Sequence, residues 1–148
     1  MSAQRPSQRY REVQVTTAAK DDLLILLLDG GVRFAEGGLR ELQQEGDEDR
    51  AKRSEHLVRA QKIMLELMGA LSPTIGEELY NKLISLYRFT MSRLFQGNVK
   101  SDAAIVEEGV IVMKQIRDIW KEAVAKAREE GLKTKPESQS GSSISVTG

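Results

Sequence analysis

The chain has 148 residues, 40% hydrophobic and 30% charged, with 22 Lys plus Arg against 22 Asp plus Glu and no cysteine. That length favours one domain around a single core. The even charge argues against a partner held mainly by phosphate neutralisation, and the missing thiol excludes disulfides, cysteine nucleophiles and Cys-ligated zinc.

Met1 to Arg11 is polar and has no apolar h-region, so no secretory signal is expected and the protein is read as cytoplasmic. Residues 1–9 are expected to be disordered. Tyr10 to Val15 carries sizeable apolar residues ahead of the first expected helix, which runs from about Asp21 to Gln44 with Thr17 as N-cap. Its apolar run, Leu23 to Leu28, is far short of a membrane span and is bracketed by Asp21, Asp22 and Asp29. Gly46 is a stop signal. The second helix starts near Asp47, with Glu48 and Asp49 in its first turn, and ends around Leu71.

Ser72-Pro73 punctuates the chain, and Thr74 with Glu77 reads as a capping box opening a third helix that ends near Gly97-Asn98. Ser101-Asp102 opens a fourth, expected to stop at Glu130 before Gly131. Residues 131–148 are Ser-, Gly-, Lys- and Thr-rich and are expected to form a disordered tail. No alternating Val/Ile run predicts a strand. Short connections imply sequential antiparallel neighbours. The expected fold is therefore all-α: an antiparallel four-helix bundle over residues 10–130, with an N-terminal capping segment or short extra helix.

Catalytic signatures are sparse. A di-iron carboxylate bundle needs Glu-x-x-His pairs, but the single histidine, His56, has Arg53 three residues before it. No G-x-S-x-G elbow supports a triad through His56, which reads as a solvated surface residue in a charged stretch. Gly30-Gly31 and Gly37-Gly38 have the wrong spacing for a phosphate loop or dinucleotide fingerprint, and read as positions that permit close helix packing or that reduce helix stability. No catalytic residue, metal ligand or cofactor site is expected.

The informative signal is an excess of apolar residues at about 100° steps around each helix. Leu24, Leu27, Leu28, Ala35, Leu39 and Leu42 share the core face of the first helix, leaving Ile25 and Leu26 beside its charged side. Leu57, Ala60, Met64, Leu67, Met68 and Leu71 form the second core face, with Val58 and Leu65 projecting away. The third packs through Leu79, Leu83, Leu86, Tyr87, Thr90 and Leu94, with Phe89 opposite. The fourth uses Ile105, Val112, Met113, Ile116, Ile119, Trp120 and Ala123, leaving Ile111 off-face. Each large exposed apolar side chain forgoes about 1.5–3 kcal/mol of burial. Cover could come from the Tyr10–Val15 segment, a second subunit or a partner's amphipathic helices; an imperfect helix phase would need no cover.

An ordered set of residues resembles a known family. Tyr10, Val15, Thr17 and Ala18 match an N-terminal Tyr, Val, Thr-Ala motif, and Leu23 to Gly30 an apolar helix closing on Asp-Gly. Ala60-Gln61-Lys62-Ile63, Glu66-Leu67 and Leu71 follow the second-helix pattern. Tyr87, Phe89, Arg93-Leu94, Asn98-Val99-Lys100 and Asp102 follow its Tyr-x-aromatic, Arg-Leu, Asn-Ile-Lys, Asp spacing, and Arg117 to Lys121 its Arg-Asp-Ala-Trp-Lys. Over about residues 10 to 125 the chain resembles the FliS family of flagellar secretion chaperones. Departures are Leu28 for Tyr, Lys20 for Pro, Gly97 for Ala and Gly109 for an apolar residue.

The resemblance implies a cytoplasmic, non-enzymatic chaperone without cofactors. It would bind the disordered C-terminal part of flagellin, prevent premature polymerisation and deliver its cargo to the export apparatus. On that reading Ile25, Leu26 and Phe89 line the partner surface, joined by Val58, Leu65 and Ile111, while Tyr10 and Val15 cover a cleft in the free protein. The rival is a structural or self-associating bundle whose off-face residues form a homo-oligomer interface. Neither reading involves nucleic acid or membrane insertion.

Overall fold

The computed structural model describes residues 6–44 and 50–141, with side chains for 19–44 and 50–131. Among the described residues there are four helices, α1 (Pro6–Gln43), α2 (Arg50–Ala70), α3 (Glu77–Lys100) and α4 (Ala103–Gly141), with one 3-10 turn at Pro73–Ile75. No strand occurs among the described residues. The outer ends of the expected disordered segments, residues 1–5 and 142–148, lie outside the described residues. So do Asp47, Glu48 and Asp49, expected to open the second helix.

Two helices are longer than the sequence suggests. α1 begins at Pro6, so Tyr10 and Val15 lie within it and Thr17 is no N-cap. Proline is tolerated at a first helical position because its missing N–H would be unpaired there anyway. From Pro6 to Gly30 no glycine or proline interrupts the chain, and threonine costs a helix only a few tenths of a kcal/mol. The expected capping segment is thus continuous with α1. At the other end α4 passes Gly131 and reaches Gly141; a lone glycine weakens a helix without ending it.

The chain divides into two compact units, Leu26–Ile119 and Met1–Ile25 with Trp120–Gly148. The larger contains α2, α3 and the adjoining parts of α1 and α4. Its order is antiparallel, as the contacts between successive helices show. Along α1, Gly31 lies against Ile63, Gly38 against Leu57, and Glu41 against His56, so the partner number falls as the α1 number rises. α3 and α4 run oppositely in the same way, with Gly97 beside Val106 and Arg93 beside Gly109.

Core formation follows the expected stripe closely in α2, where Leu57, Ala60, Met64 and Leu67 are buried. In α3 the core is Leu83, Tyr87, Thr90, Leu94 and Gly97. Leu79, expected inside, is exposed in the first turn of that helix. In the larger unit's part of α4 the buried residues are Val106, Gly109, Val110, Met113 and Ile116, while Ile105, Val112 and Ile119 are only half-buried. Two glycines set that rotation. A Cβ at Gly97 would collide with Val106 Cγ2, so only glycine there lets Val106 point inward. Gly109 similarly leaves room for Arg93.

The turns also differ from expectation. The Thr74–Glu77 box does not form; Ser72 Oγ accepts from Thr74 N–H at 3.2 Å and caps the 3-10 turn, and α3 opens after Gly76 with no side-chain cap. Between α3 and α4, Ser101 takes a left-handed φ of 54° and Asp102 Oδ1 accepts from Ala104 N–H at 3.0 Å and Ile105 N–H at 3.3 Å. Arg53, buried in the first turn of α2, locks this corner. Its guanidinium donates to Asn98 Oδ1 and the Asn98 carbonyl, both at 3.4 Å, and to Ser101 Oγ at 3.3 Å. That adds a side-chain donor to the Asn98 carbonyl at the helix end, which also accepts from the Ser101 N–H at 3.4 Å.

In the smaller unit, Val124 is buried, Trp120, Leu24 and Ile25 are half-buried, and Ala123, expected inside, is exposed. Asp22 Oδ1 accepts from Arg128 Nη2 at 2.8 Å. That hydrogen bond, with the carboxylate's charge, holds the half-exposed guanidinium above its ordinary pKa.

Candidate partner-binding surface

The off-face residues of the larger unit stand where helix phase put them. Leu26 is 61% exposed and Leu65 56%, and Val58, Phe89 and Ile111 are also exposed. Ile25 belongs to the smaller unit and is half-buried, which weakens its part in any open surface. The side chains of Tyr10 and Val15 lie outside the described ones, so the proposed cover by that segment has no geometry.

The exposed residues fall on two seams. On α2, Ser54, Val58 and Leu65 recur at i, i+4 and i+11 and so share one stripe. Ser54 Oγ donates to Asn98 Oδ1 at 3.1 Å, so this stripe borders α3. Across it, Phe95 precedes Asn98 by three residues on the same flank of α3. Phe95 is 57% exposed, and Val99, four residues on, 60%. The outer seam between α2 and α3 is therefore apolar on both sides.

On the other flank of α3 lies the seam with α4. Arg93 Cζ sits 5.5 Å from the centroid of the Phe89 ring, and its Nη1 lies 3.6 Å from Glu108 Oε1. Ile111 follows Glu108 by three residues, near the outer side of α4. Leu26 is carried by α1, which contributes to neither seam. The expected set is thus distributed: Val58 with Leu65, Phe89 near Ile111, and Leu26 apart.

Phe95 and Val99 are exposed apolar residues of this seam that helix phase had not singled out. Phe95 directly follows Leu94 in the core, so it was open to being read as core margin; its i, i+4 pairing with Val99 was the available signal. His56 is a further correction. It is no solvated surface residue: Nδ1 lies 2.6 Å from Glu41 Oε1, and the ring is 6.2 Å from Phe34 with Arg59 over the same phenyl. The ring also covers Gly37, where an added Cβ would meet Nδ1 at 3.3 Å. These contacts tie α1 to α2 and give His56 a structural part.

Among the described residues no group of three or more His, Asp or Glu side chains is placed to hold a metal ion. No described helix is long and apolar enough to cross a membrane. The surface can offer apolar area, an exposed aromatic ring and a guanidinium, which suit binding.

The model of the family described as flagellar protein FliS matches residues 2–127. The flagellar secretion chaperone FliS of Bacillus subtilis (strain 168) is 28% identical over 130 residues, covering 88% of this chain and 94% of that protein. Its counterpart in Escherichia coli (strain K12) is 29% identical over 129 residues, covering 84% and 93%. The Salmonella typhimurium (strain LT2) protein of the same name is 30% identical over 122 residues, covering 80% and 89%.

Proposed function

The chain belongs to the FliS family, and from that premise we propose that it is a cytoplasmic, non-enzymatic export chaperone for flagellin. It holds the disordered C-terminal part of flagellin and keeps it from polymerising before export. The observation that carries this reading is the pair of apolar seams flanking α3, with Val58, Leu65 and Phe95 on one side and Phe89 on the other. A disordered chain that folds into amphipathic helices can cover such seams by helix-in-groove packing. Leu26 and Ile111 extend the apolar area that a wrapping segment reaches.

The energetics suit temporary custody. Each large apolar side chain covered returns about 1.5–3 kcal/mol, while ordering the segment takes back about 2–5 kcal/mol. Affinity is then moderate for the area buried, and release to the export apparatus needs no covalent step. Titration of the full chain with flagellin, intact and lacking its C-terminal segment, tests the reading. Binding is expected to intact flagellin only; equal binding to both forms rejects the proposed segment.

A further inference from the structure

Arg93 combines three features that the bundle itself does not require. Its Nε is enclosed and meets no acceptor, alone in this among buried side-chain nitrogens and oxygens of the described residues. Its guanidinium covers the half-open ring of Phe89 at 5.5 Å. Its nearest carboxylate, that of half-exposed Glu108, stands 3.6 Å from Nη1, beyond hydrogen-bond length.

Gly109 explains the seating. A Cβ at that position would lie 3.0 Å from Arg93 Cβ and 3.4 Å from the Thr90 carbonyl oxygen. The bare α4 backbone lets the base of the arginine side chain sink into the seam, and Nε sinks with it. A guanidinium is a planar fork whose Nε and one Nη match the two oxygens of a carboxylate. Here that edge of the fork is unused. The resting arrangement is a cation folded down on an aromatic ring, with donor capacity held back.

We propose that Arg93 is a hinged clamp that reads an Asp or Glu side chain on the bound helical segment. When the segment docks, the guanidinium swings off Phe89 and its Nε and one Nη take the two carboxylate oxygens. The uncovered ring receives an apolar residue three or four positions from that acid, on the same helix face. The clamp rests on the reading above that an amphipathic segment docks at these seams, and it adds the chemistry that selects which one. Charge complementarity commits the occupant: a segment without an acid at that position leaves the guanidinium lying across the ring.

The test is calorimetric titration of the full chain, wild type, Arg93→Gln and Arg93→Lys, with the flagellin C-terminal segment. Versions of the segment with each Asp or Glu singly changed to Asn or Gln complete the set. Arg93→Gln is expected to weaken binding about tenfold or more. Arg93→Lys should lose most of that, because an ammonium cannot present the fork. One acid of the segment should produce the same loss against wild type and no further loss against Arg93→Gln. Wild-type affinity in Arg93→Gln, or a loss identical for every version of the segment, overturns the clamp. The segment scan against wild type alone also decides it, free of any effect on folding: if no single replacement lowers affinity, there is no clamp. Failure of wild type to bind the segment at all rejects the functional reading and the clamp with it. Retained wild-type binding with uncoupled Arg93 variants rejects the clamp alone.

Discussion

Replacing Gly38 by alanine should destabilise the bundle, against the normal preference of helices. Mid-helix, alanine is favoured over glycine by about 0.5–1 kcal/mol. At Gly38, however, the added Cβ would lie 2.5 Å from both Cγ and Cδ2 of Leu57. Leu57 is fully buried, and Cγ is its branch point, so the whole isobutyl group must move. Overpacking of this kind costs about 1–3 kcal/mol, and a clash at the branch point belongs at the upper end. The net expectation for Gly38→Ala is a loss of about 2 kcal/mol. Gly30, eight residues earlier in α1, provides the control: there the nearest neighbour of an added Cβ is Arg33 Nη2 at 3.7 Å, an ordinary contact. Gly30→Ala should therefore gain about 0.5–1 kcal/mol. Urea unfolding followed by circular dichroism, with unchanged m-values, measures both. A Gly38→Ala protein as stable as wild type would refute the reasoning, because it would mean that α1 and α2 are not held at glycine distance.

Three further outcomes are expected. Arg53→Met removes the donors to Asn98 and Ser101 and should lower stability by about 2–3 kcal/mol, read as a urea midpoint shift; an unchanged midpoint would show the corner closes without the latch. Leu65→Asp and Phe95→Asp, both at exposed positions, should change stability by no more than about 0.5 kcal/mol. The same pair should weaken flagellin binding in a titration at least tenfold, and undiminished affinity would remove the α2–α3 seam from the binding surface. In sedimentation velocity without flagellin, the full chain should remain monomeric as concentration is raised; a dimer growing with concentration would favour self-association across the apolar seams instead.

How much of this was legible follows from where each signal resides. The stripe of α2 could be read directly because Leu57, Ala60, Met64 and Leu67 repeat at three and four residues with charged or polar neighbours between them. α4 could not be read so well, since Ile105-Val106 and Ile111-Val112-Met113 offer adjacent apolar residues and hence two competing stripes. The choice between them is made by Gly97 and Gly109, whose effect depends on a facing helix and has no one-dimensional trace. His56 was misread for a related reason: its partner Glu41 lies fifteen residues back, across the connection between α1 and α2. Arg53 sits in a basic run that looks solvated, and only the corner at Asn98 and Ser101 accounts for its burial. Val58, Leu65, Phe89 and Ile111 were legible because exposure follows from phase alone. Their division into two seams was not, since it depends on which flank of α3 each neighbour occupies.

The up-and-down order of the larger unit also bears on how quickly it forms. α1 meets α2, α2 meets α3 and α3 meets α4, so these three contacts join helices adjacent in the chain. Low sequence separation of this kind favours fast folding, because little loop entropy is lost before a contact forms. The exception is the closure of α1 on α4, where Gly31 approaches Met113 and Lys114 Nζ lies 2.8 Å from Glu36 Oε2. Those residues are brought together across most of the unit's length, so their docking carries the largest search cost and comes last. A truncating substitution at Met113 should then hasten unfolding more than it slows folding. The first and last helices of the unit thus set how long the assembled chaperone persists, while the middle pair sets how soon it appears.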